Sequence, residues 1–175
     1  GLWREVSIPS SNARNFQRGS GDDLSRRSLY TYWKRTAPNP QMSAFDAPTR
    51  EFCVIDRGST NTPLQALVLW NDEQYLEAAR VLAARTLAEA DGTDARLTRL
   101  YRLCNGAEPG DAKLAVLRNA LGVFTARFNE SPDEAQMLLG YGEAPLPDEY
   151  DPAELAAWTM IGNTVLSLDE TIVRD

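Results

Sequence analysis

The sequence of 175 residues contains no histidine. Histidine is the side chain that most often serves as a general base near neutral pH, and it is a common ligand of zinc and of haem iron. Its absence excludes a Ser-His-Asp triad, a histidine-ligated haem and most zinc sites from these residues. We therefore predict neither a metal site nor a bound cofactor in this chain.

Cysteine is scarce as well, and the two that occur, Cys53 and Cys104, are far apart. Neither lies in a CxxC or CxxCH motif, so neither indicates a redox pair or haem attachment. Cys104 falls on the apolar side of a predicted helix, which predicts a buried free thiol. A disulfide between the two cysteines is expected only if the chain is exported.

Long apolar runs are also missing. No stretch approaches the roughly 20 apolar residues that a membrane-spanning helix needs, so we predict no membrane span. Hydrophobic residues make up 43% of the chain and charged residues 25%, a composition typical of one globular domain. The chain opens GLWREVSIP, without an initiator Met or a signal peptide, and we expect it to be a fragment of a larger multidomain protein.

Positive charge is in short supply, and its distribution is uneven. Residues 1–60 carry nine Lys and Arg against six Asp and Glu, whereas residues 61–175 carry nine against nineteen. The prediction is a single helical domain, 1–175, with a basic, loop-rich head at 1–60 and an acidic helical bundle at 61–175. The acidic bulk argues against nucleic acid as a partner, because nucleic-acid binding requires a basic face. The head could dock an acidic surface, that of its own C-terminal half included, or simply balance charge within the fold.

Helix-start signals recur along the chain. In Thr62–Gln65, Ser131–Glu134 and Asp151–Glu154 a capping residue precedes proline, and Gln or Glu follows three residues after the cap. The side chain of the cap accepts a hydrogen bond from a free backbone N–H, and Gln or Glu accepts one from the backbone of the cap. Asn71-Asp72-Glu73-Gln74 is a fourth such box and predicts a break between two helices.

Apolar residues at helical spacing follow these starts. They predict a mostly α fold, an irregular multi-helix bundle of five to seven helices with at most one short β-hairpin. The Asn105-Gly106 pair predicts the end of one helix. The periodic positions are Leu76, Ala79, Leu82, Ala83 and Leu87; Leu97, Leu100, Tyr101 and Cys104; Leu114, Leu117, Leu121, Phe124 and Phe128; and Leu155, Trp158, Ile161 or Gly162, Val165, Leu168 and Ile172.

The head contains weaker signals. A helix is predicted from Asp22 or Asp23 through SRRSLYTYWKRT, ending before Pro38. Pro-rich joints are predicted at 38–48, and again at 144–152 in the bundle. Only Phe52–Asp56 reads as a strand, with Arg4–Ile8 as its candidate partner.

Polar residues just before Thr62 form the first candidate binding site. Arg57, Thr60 and Asn61 offer donors and acceptors suited to an anion or a polar ligand, next to the partly positive start of a helix. The competing interpretation is architectural. In that case Thr60 and Asn61 bond neighbouring backbone groups, and Thr62 only starts the helix. We favour the architectural interpretation.

Two further candidates lie in the head. Trp33 and Arg35 belong to a basic, aromatic segment that could stack on bases or sugars, although its aromatic residues could equally form part of a core. Asp46, paired with Asp56, could act in glycosidase-like chemistry, which needs two carboxylates at a set separation. The pairs Glu143/Asp148 and Asp169/Glu170 raise the same question. No catalytic residue is assigned, because such pairs arise by chance among 25 acidic residues.

Four segments, in order, carry a family resemblance: SLYTYWKRTAPNP at 28–40, FDAPTREFC at 45–53, TNTPLQALVLWND at 60–72 and AELAAWTMIGNTVLSLDE at 153–170. Together they are similar to the C-terminal domain of unknown function in the large, exported, planctomycete-type cytochrome c proteins. The opening GLWREV resembles an internal segment of that domain. The resemblance implies a C-terminal part of the domain, a haem-binding CxxCH region upstream, and a periplasmic or cell-surface location. It implies no particular reaction.

These observations predict a non-catalytic interaction or scaffold module that packs against upstream domains of the same polypeptide. Haem is expected only in an upstream cytochrome domain. The alternative is a carbohydrate- or polymer-binding or processing domain that uses Asp, Glu and Arg residues near 45–61, with polysaccharide as its partner. Sugar or anion binding through Arg57, Asn61 and Trp33, without turnover, is a third possibility.

Overall fold

The computed structural model describes residues 19–31, 38–49, 51–55, 58 and 60–173. Within them the regular structure is entirely helical, with two short 3-10 helices, eight α-helices and no strand, which confirms the mostly α prediction. The α-helices are α1 (Pro40–Ala44), α2 (Pro63–Asn71), α3 (Glu73–Glu89), α4 (Thr93–Asn105), α5 (Asp111–Glu130), α6 (Pro132–Leu139), α7 (Pro152–Leu166) and α8 (Asp169–Ile172).

The contacts divide the chain into two compact units, Gly1–Val68 and Leu69–Asp175. The first unit contains the 3-10 helices Gly21–Ser25 and Ser28–Tyr30, together with α1. The second unit contains α3 to α8. The single domain and its division at residue 60 were inferred from composition and charge, and they stay predictions.

Helix α7 is the centre of the second unit. It packs against α3, α5 and α6, and also contacts α4 and α8. A helix that is apolar on nearly every side is stable only when other elements surround it, and the sequence of α7 meets that description. Its buried residues are Leu155, Ala156, Ala157, Trp158, Thr159, Ile161, Gly162, Asn163 and Val165.

Helices α3 and α7 come close together at Ala79 and Gly162, both of which are buried. A Cβ atom built on Gly162 would lie 3.0 Å from the carbonyl oxygen of Ala79 and 3.5 Å from its Cα atom. The missing side chain of Gly162 therefore allows the two helix backbones to come this near. Next to it, Asn163 Nδ2 donates to the carbonyl oxygen of Leu69 at 3.0 Å, which satisfies a backbone acceptor in the last turn of α2.

The helical stripes predicted from the sequence form the core of the second unit. Leu97, Leu100, Tyr101 and Cys104 are buried on α4, which ends at Gly106 as predicted. On α5, Leu117, Leu121 and Phe128 are buried, while Leu114 and Phe124 pack against them from partly buried positions. Cys104 is a buried free thiol and Cys53 an exposed one. The prediction for Cys104 is confirmed.

Two of the remaining helix-start predictions hold, one of them with a different capping residue. Asp151 caps α7, and its Oδ1 accepts from the N–H groups of Ala153 at 2.9 Å and Glu154 at 3.1 Å. The break between α2 and α3 is present. Asp72 rather than Asn71 is the cap, because its Oδ1 accepts from the N–H of Gln74 at 2.9 Å.

The prediction for Ser131 is correct in position and wrong in mechanism. Helix α6 begins with Pro132 as expected, but the Ser131 side chain makes no capping hydrogen bond. Glu134 does not complete a capping box. Its Oε2 instead accepts from Arg127 Nε of α5 at 2.9 Å, and this ion pair between helices replaces the local bond.

Three predictions for the head are wrong within the described residues. Phe52 to Ile55 form no strand, because a strand requires a neighbour to complete its hydrogen bonds and none is present among the described residues. The helix expected from Asp22 onward is two 3-10 segments, since Arg26 and Arg27 are extended, with ψ of 150° and 146°. The joint at 38–48 contains α1, capped by Asn39, whose Oδ1 accepts from the N–H of Met42 at 3.2 Å.

The last predicted stripe is interrupted. Helix α7 ends at Leu166, Leu168 is extended, and α8 begins at Asp169. The Ser167 hydroxyl donates to the carbonyl oxygen of Asn163 at 2.9 Å, a local bond that competes with continuation of the helix.

The strand partner predicted at Arg4–Ile8 and the last predicted strand residue, Asp56, lie outside the described residues.

Replacing Gly162 with alanine tests the close approach of α3 and α7. We expect Gly162→Ala to lower the free energy of unfolding by about 1–3 kcal/mol, because the new methyl group would push against the backbone of α3. Gly122→Ala is the matched control, since nothing lies within 4 Å of a Cβ at that position in α5. It should stabilise the chain by roughly 0.5–1 kcal/mol. Urea denaturation of both variants measures these changes in the free energy of unfolding. A stabilised Gly162→Ala variant would contradict the packing argument.

Candidate functional site

Two of the predicted site residues, Asp46 and Thr60, lie in direct contact within the first unit. Asp46 Oδ2 accepts from the Thr60 N–H at 2.8 Å and from the Thr60 hydroxyl at 2.7 Å. Gln65 Nε2 adds a longer contact of 3.4 Å to the same oxygen. Asp46 has a positive φ of 57°, a conformation that aspartate tolerates better than most residues. The Asp46 carboxylate therefore holds Thr60 in place just before α2 begins.

The start of α2 is a complete capping box. The Thr62 hydroxyl accepts from the Gln65 N–H at 3.4 Å, and Gln65 Oε1 accepts from the Thr62 N–H at 2.9 Å. Gln65 is almost fully buried, and its Nε2 also donates to the Thr60 hydroxyl at 3.2 Å. The capping prediction is confirmed. The Thr60 hydroxyl bonds the side chains of Asp46 and Gln65 and not neighbouring backbone groups, so that part of the architectural prediction is wrong, although the bonds still serve the helix start.

Hydrogen bonding keeps Asp46 ionised. The bond from the Thr60 hydroxyl lowers the pKa of Asp46 most, followed by that from the Thr60 N–H, while desolvation acts in the opposite direction. An acid catalyst in glycoside hydrolysis requires the reverse, a carboxyl group with a raised pKa. The lowered pKa therefore argues against Asp46 as the acid catalyst, and its two bonds to Thr60 support a structural role.

The other predicted site residues are not brought together with Asp46 by any described contact. Asn61 is exposed beside Thr60. Arg57, Trp33 and Arg35 lie outside the described residues, as does Asp56. Ligand binding by this group stays a prediction.

A groove in the second unit was not predicted from the sequence. It lies between α5, α6 and α7, has a volume of about 420 Å³, and is walled mainly by apolar side chains. We call it the α5–α6 groove. Met137 is 68% exposed and Tyr141 is 44% exposed, so its outer edge presents apolar surface to water. The lining residues are Phe124, Arg127, Phe128, Glu134, Met137, Leu138, Tyr141 and Met160.

The loop after α6 forms one end of the groove and is held by α3. Glu77 accepts from the N–H of Glu143 at 2.8 Å and of Ala144 at 3.1 Å. Arg80, which is 2% exposed, donates to the carbonyl oxygens of Ala144 at 2.8 Å and Tyr141 at 3.4 Å. Burial lowers the pKa of Arg80, and the Glu77 carboxylate opposes that effect. These bonds place Tyr141 at the groove.

Gly142 is required at the turn of this loop. Its φ is +92°, and a Cβ there would lie 2.2 Å from Glu77 Oε2 and 2.7 Å from Glu77 Cβ. The Gly142 N–H donates to Glu73 Oε1 at 3.3 Å. Two glutamates one turn apart on α3 thus bind three successive backbone N–H groups of the loop.

A second polar cluster attaches α8 to the bundle. Lys113 Nζ of α5 donates to both carboxylate oxygens of Glu170, at 2.5 and 2.6 Å. The Tyr101 hydroxyl of α4 donates to Glu170 Oε1 at 2.6 Å. The bond from Lys113, and then that from Tyr101, lowers the pKa of Glu170. This acid, one of the candidate pair Asp169/Glu170, is engaged in holding three helices together.

Two further structural findings bear on function. Among the described residues, no group of three or more Cys, Asp or Glu side chains has a metal-binding arrangement. In the part of the chain that the structure describes, none of the helices is both long and apolar enough to cross a membrane.

A protein-family model matches residues 4–121, about two thirds of the chain. The chain belongs to the PSD1 family. PSD1 is described as a protein of unknown function, DUF1553. No curated protein and no solved structure matches the chain. The recognition of a domain of unknown function is confirmed, and the link to planctomycete-type cytochrome c proteins stays a prediction. The PSD1 match ends within α5, whereas the lining of the α5–α6 groove begins at Phe124.

The groove lacked a clear signal in the sequence. Met137 is followed by Leu138 and Leu139, of which Leu139 is buried and Leu138 partly so. Spacing alone marks this run as apolar without showing which member faces water. Only the packing of α6 on α7 shows that Met137 faces water while Leu139 is buried.

Thr62→Ala tests the capping box. We expect it to lower the free energy of unfolding by about 1 kcal/mol, because the Gln65 N–H loses its acceptor. Ser131→Ala is the control: Ser131 occupies the same place before a helix-starting proline but makes no capping bond. It should leave the free energy of unfolding within about 0.5 kcal/mol of the original. Equal costs at the two positions in chemical denaturation would contradict the assignment.

The Glu170 cluster predicts a dependence of stability on acid. Because the folded state lowers the pKa of Glu170, the unfolded state binds the proton more readily, and the contribution is lost as the pH falls through the pKa of the folded form. Between about pH 5 and pH 3, the range in which carboxylic acids titrate, the original chain should lose more stability than Glu170→Gln. Thermal melts across this range provide the measurement. If the stabilities of the original chain and of Glu170→Gln fell in parallel with pH, the prediction would be refuted. In a Lys113→Met background the difference between Glu and Gln at position 170 should shrink.

Proposed function

We propose that this PSD1 chain is a non-catalytic interaction module that packs against other domains of an exported, cytochrome-c-type polypeptide. The observation that carries the proposal is the α5–α6 groove, an apolar depression with exposed Met137 and Tyr141 at its edge. Contiguous exposed apolar surface of this kind marks interaction sites. Covering it removes apolar area from water, which favours association.

The ionic side chains of the second unit support a structural use of charge. Glu89 accepts from Arg85 and Arg99 at 2.7 Å each, and these bonds, that from Arg85 first, lower the pKa of Glu89. Asp94 accepts from Arg118 at 2.9 Å, which lowers its pKa as well. Carboxylates of this kind stay ionised and join one helix to the next, which is the behaviour expected of a scaffold.

The polymer-processing alternative has less support. It would use acids near residues 45–61, and the Asp46 carboxylate is already occupied by Thr60, with a lowered pKa. General-acid chemistry needs a raised pKa. The second acid of that pair, Asp56, lies outside the described residues. No observation favours this function over the interaction module.

The proposed context rests on similarity in sequence. The four segments similar to the planctomycete-type domain support an exported, haem-linked polypeptide, with the haem in an upstream cytochrome region. A pyridine haemochrome assay on the complete gene product tests this directly. A c-type haem is the expected result, and a haem-free product would contradict the context.

Docking to upstream domains predicts a difference in thermal stability. A polypeptide that also contains the upstream residues of the same gene should unfold this domain at a higher temperature than the 175-residue chain alone. A shift of about 2–4 °C corresponds to each kcal/mol of docking energy in a chain of this size. Differential scanning calorimetry of both polypeptides provides the comparison. Equal melting temperatures would count against the proposed function.

A further inference from the structure

The α5–α6 groove has an extension along α5 that widens its apolar edge. Val116 is 68% exposed and Val123 is 61% exposed. The two residues are seven apart, and Val123 is four residues before Arg127, which lines the groove, so all three lie on one side of α5. The apolar surface therefore continues beyond the depression itself.

Acidic side chains flank this surface at the corner between α5 and α6. Glu130 follows Arg127 by three residues on α5, and Asp133 precedes Met137 by four residues on α6, so each lies beside an edge of the groove. Both are exposed, and neither forms an ion pair with another described residue. Arg127 is neutralised by Glu134 at 2.9 Å. The local charge is therefore negative.

From this combination we infer that the α5–α6 groove binds an amphipathic helix of a partner polypeptide, with apolar anchors entering the groove and Lys or Arg residues facing Glu130 and Asp133. The inference deepens the proposed function and rests on it for the role of the groove. Helical segments bind grooves between helices through anchors spaced by three, four and seven residues. Met137 and Met160 suit such anchors, because methionine side chains adapt to the shapes of different residues.

Charge makes a second copy of the chain a poor occupant. The formal net charge is −7, and residues 61–175 carry nineteen acidic against nine basic residues. Pairing two grooves would bring Glu130 and Asp133 of both copies together, and like charges oppose association. A basic helix reverses the sign of that interaction.

Two synthetic peptides test the inference on the 175-residue chain. Both carry the same leucine and phenylalanine anchors at helical spacing, and one has lysine and arginine on its polar side where the other has glutamate. Fluorescence anisotropy should show binding of the basic peptide and at least tenfold weaker binding of the acidic one. The basic peptide should also bind more weakly as salt rises, because salt screens charges at the exposed rim.

Variants separate the apolar contribution from the ionic one. Met137→Gln should weaken binding of the basic peptide at least fivefold without unfolding the chain, since Met137 is mostly exposed. Glu130→Gln with Asp133→Asn should weaken it and flatten the salt dependence. Val81→Gln is the control, because Val81 is 49% exposed on α3 and does not line the groove. Unchanged melting temperatures verify that each variant is folded.

Several results would overturn the inference. They are no binding of the basic peptide, equal binding of both peptides, or equal losses for Met137→Gln and Val81→Gln. Self-association of the chain in analytical ultracentrifugation, abolished by Met137→Gln, would assign the groove to a second copy instead. Such failures concern only a basic helix as the occupant of the groove, whereas the calorimetric comparison tests docking of upstream domains of any structure. Equal melting temperatures with intact peptide binding would refute only the docking of upstream domains.

Discussion

The close contact between α3 and α7 is the constraint on which the second unit depends. Gly162 has no side chain and Ala79 only a methyl group, so the two helix backbones come so close that a Cβ on Gly162 would lie 3.0 Å from the Ala79 carbonyl oxygen. Because α7 is apolar around most of its circumference, α5 and α6 can cover its remaining sides. A bulkier residue at Gly162 would displace α7 and, with it, the helices that form the groove.

Helix α3 connects this core to the groove in a second way. One side of the helix packs against α7 through Ala79, while Glu73, Glu77 and Arg80 bind the loop that follows α6. Arg80 is buried yet forms hydrogen bonds to carbonyl oxygens, which offset the cost of removing a charge from water. Core packing and groove geometry are thus set by neighbouring residues of the same helix. Damage to α3 would therefore affect both.

The sequence predicted most of the second unit and little of the first. Stripes such as Leu97 to Cys104 were recognisable because one side of a helix repeats every three or four residues. The caps at Thr62 and Asp151 were recognisable because they are local. The capping prediction at Ser131 failed for the opposite reason. Glu134 bonds to Arg127 on another helix, and the local sequence pattern does not indicate that contact. The extended backbone at Arg26 and Arg27 likewise interrupts a segment that local pattern reads as one helix.

The candidate site shows the same difference between features with a local signal and features that depend on packing. The contact of Asp46 with Thr60 spans 14 residues and was not predicted, because the sequence pattern paired Asp46 with Asp56 and grouped Thr60 with Arg57 and Asn61. The groove was not foreseen, because it results from the packing of α5, α6 and α7 and from the partial exposure of Met160 on α7. Both depend on packing, for which a single sequence offers no direct signal.

The manner in which α3 holds the loop after α6 has a consequence for how the groove could diversify. The hydrogen bonds of Glu73, Glu77 and Arg80 to this loop go to main-chain atoms of residues 141 to 145. Apart from Gly142, the identity of the side chains on this loop does not enter those bonds. Tyr141 could therefore be exchanged during evolution, giving the groove a different preference among ligands while the scaffold beneath it keeps its shape.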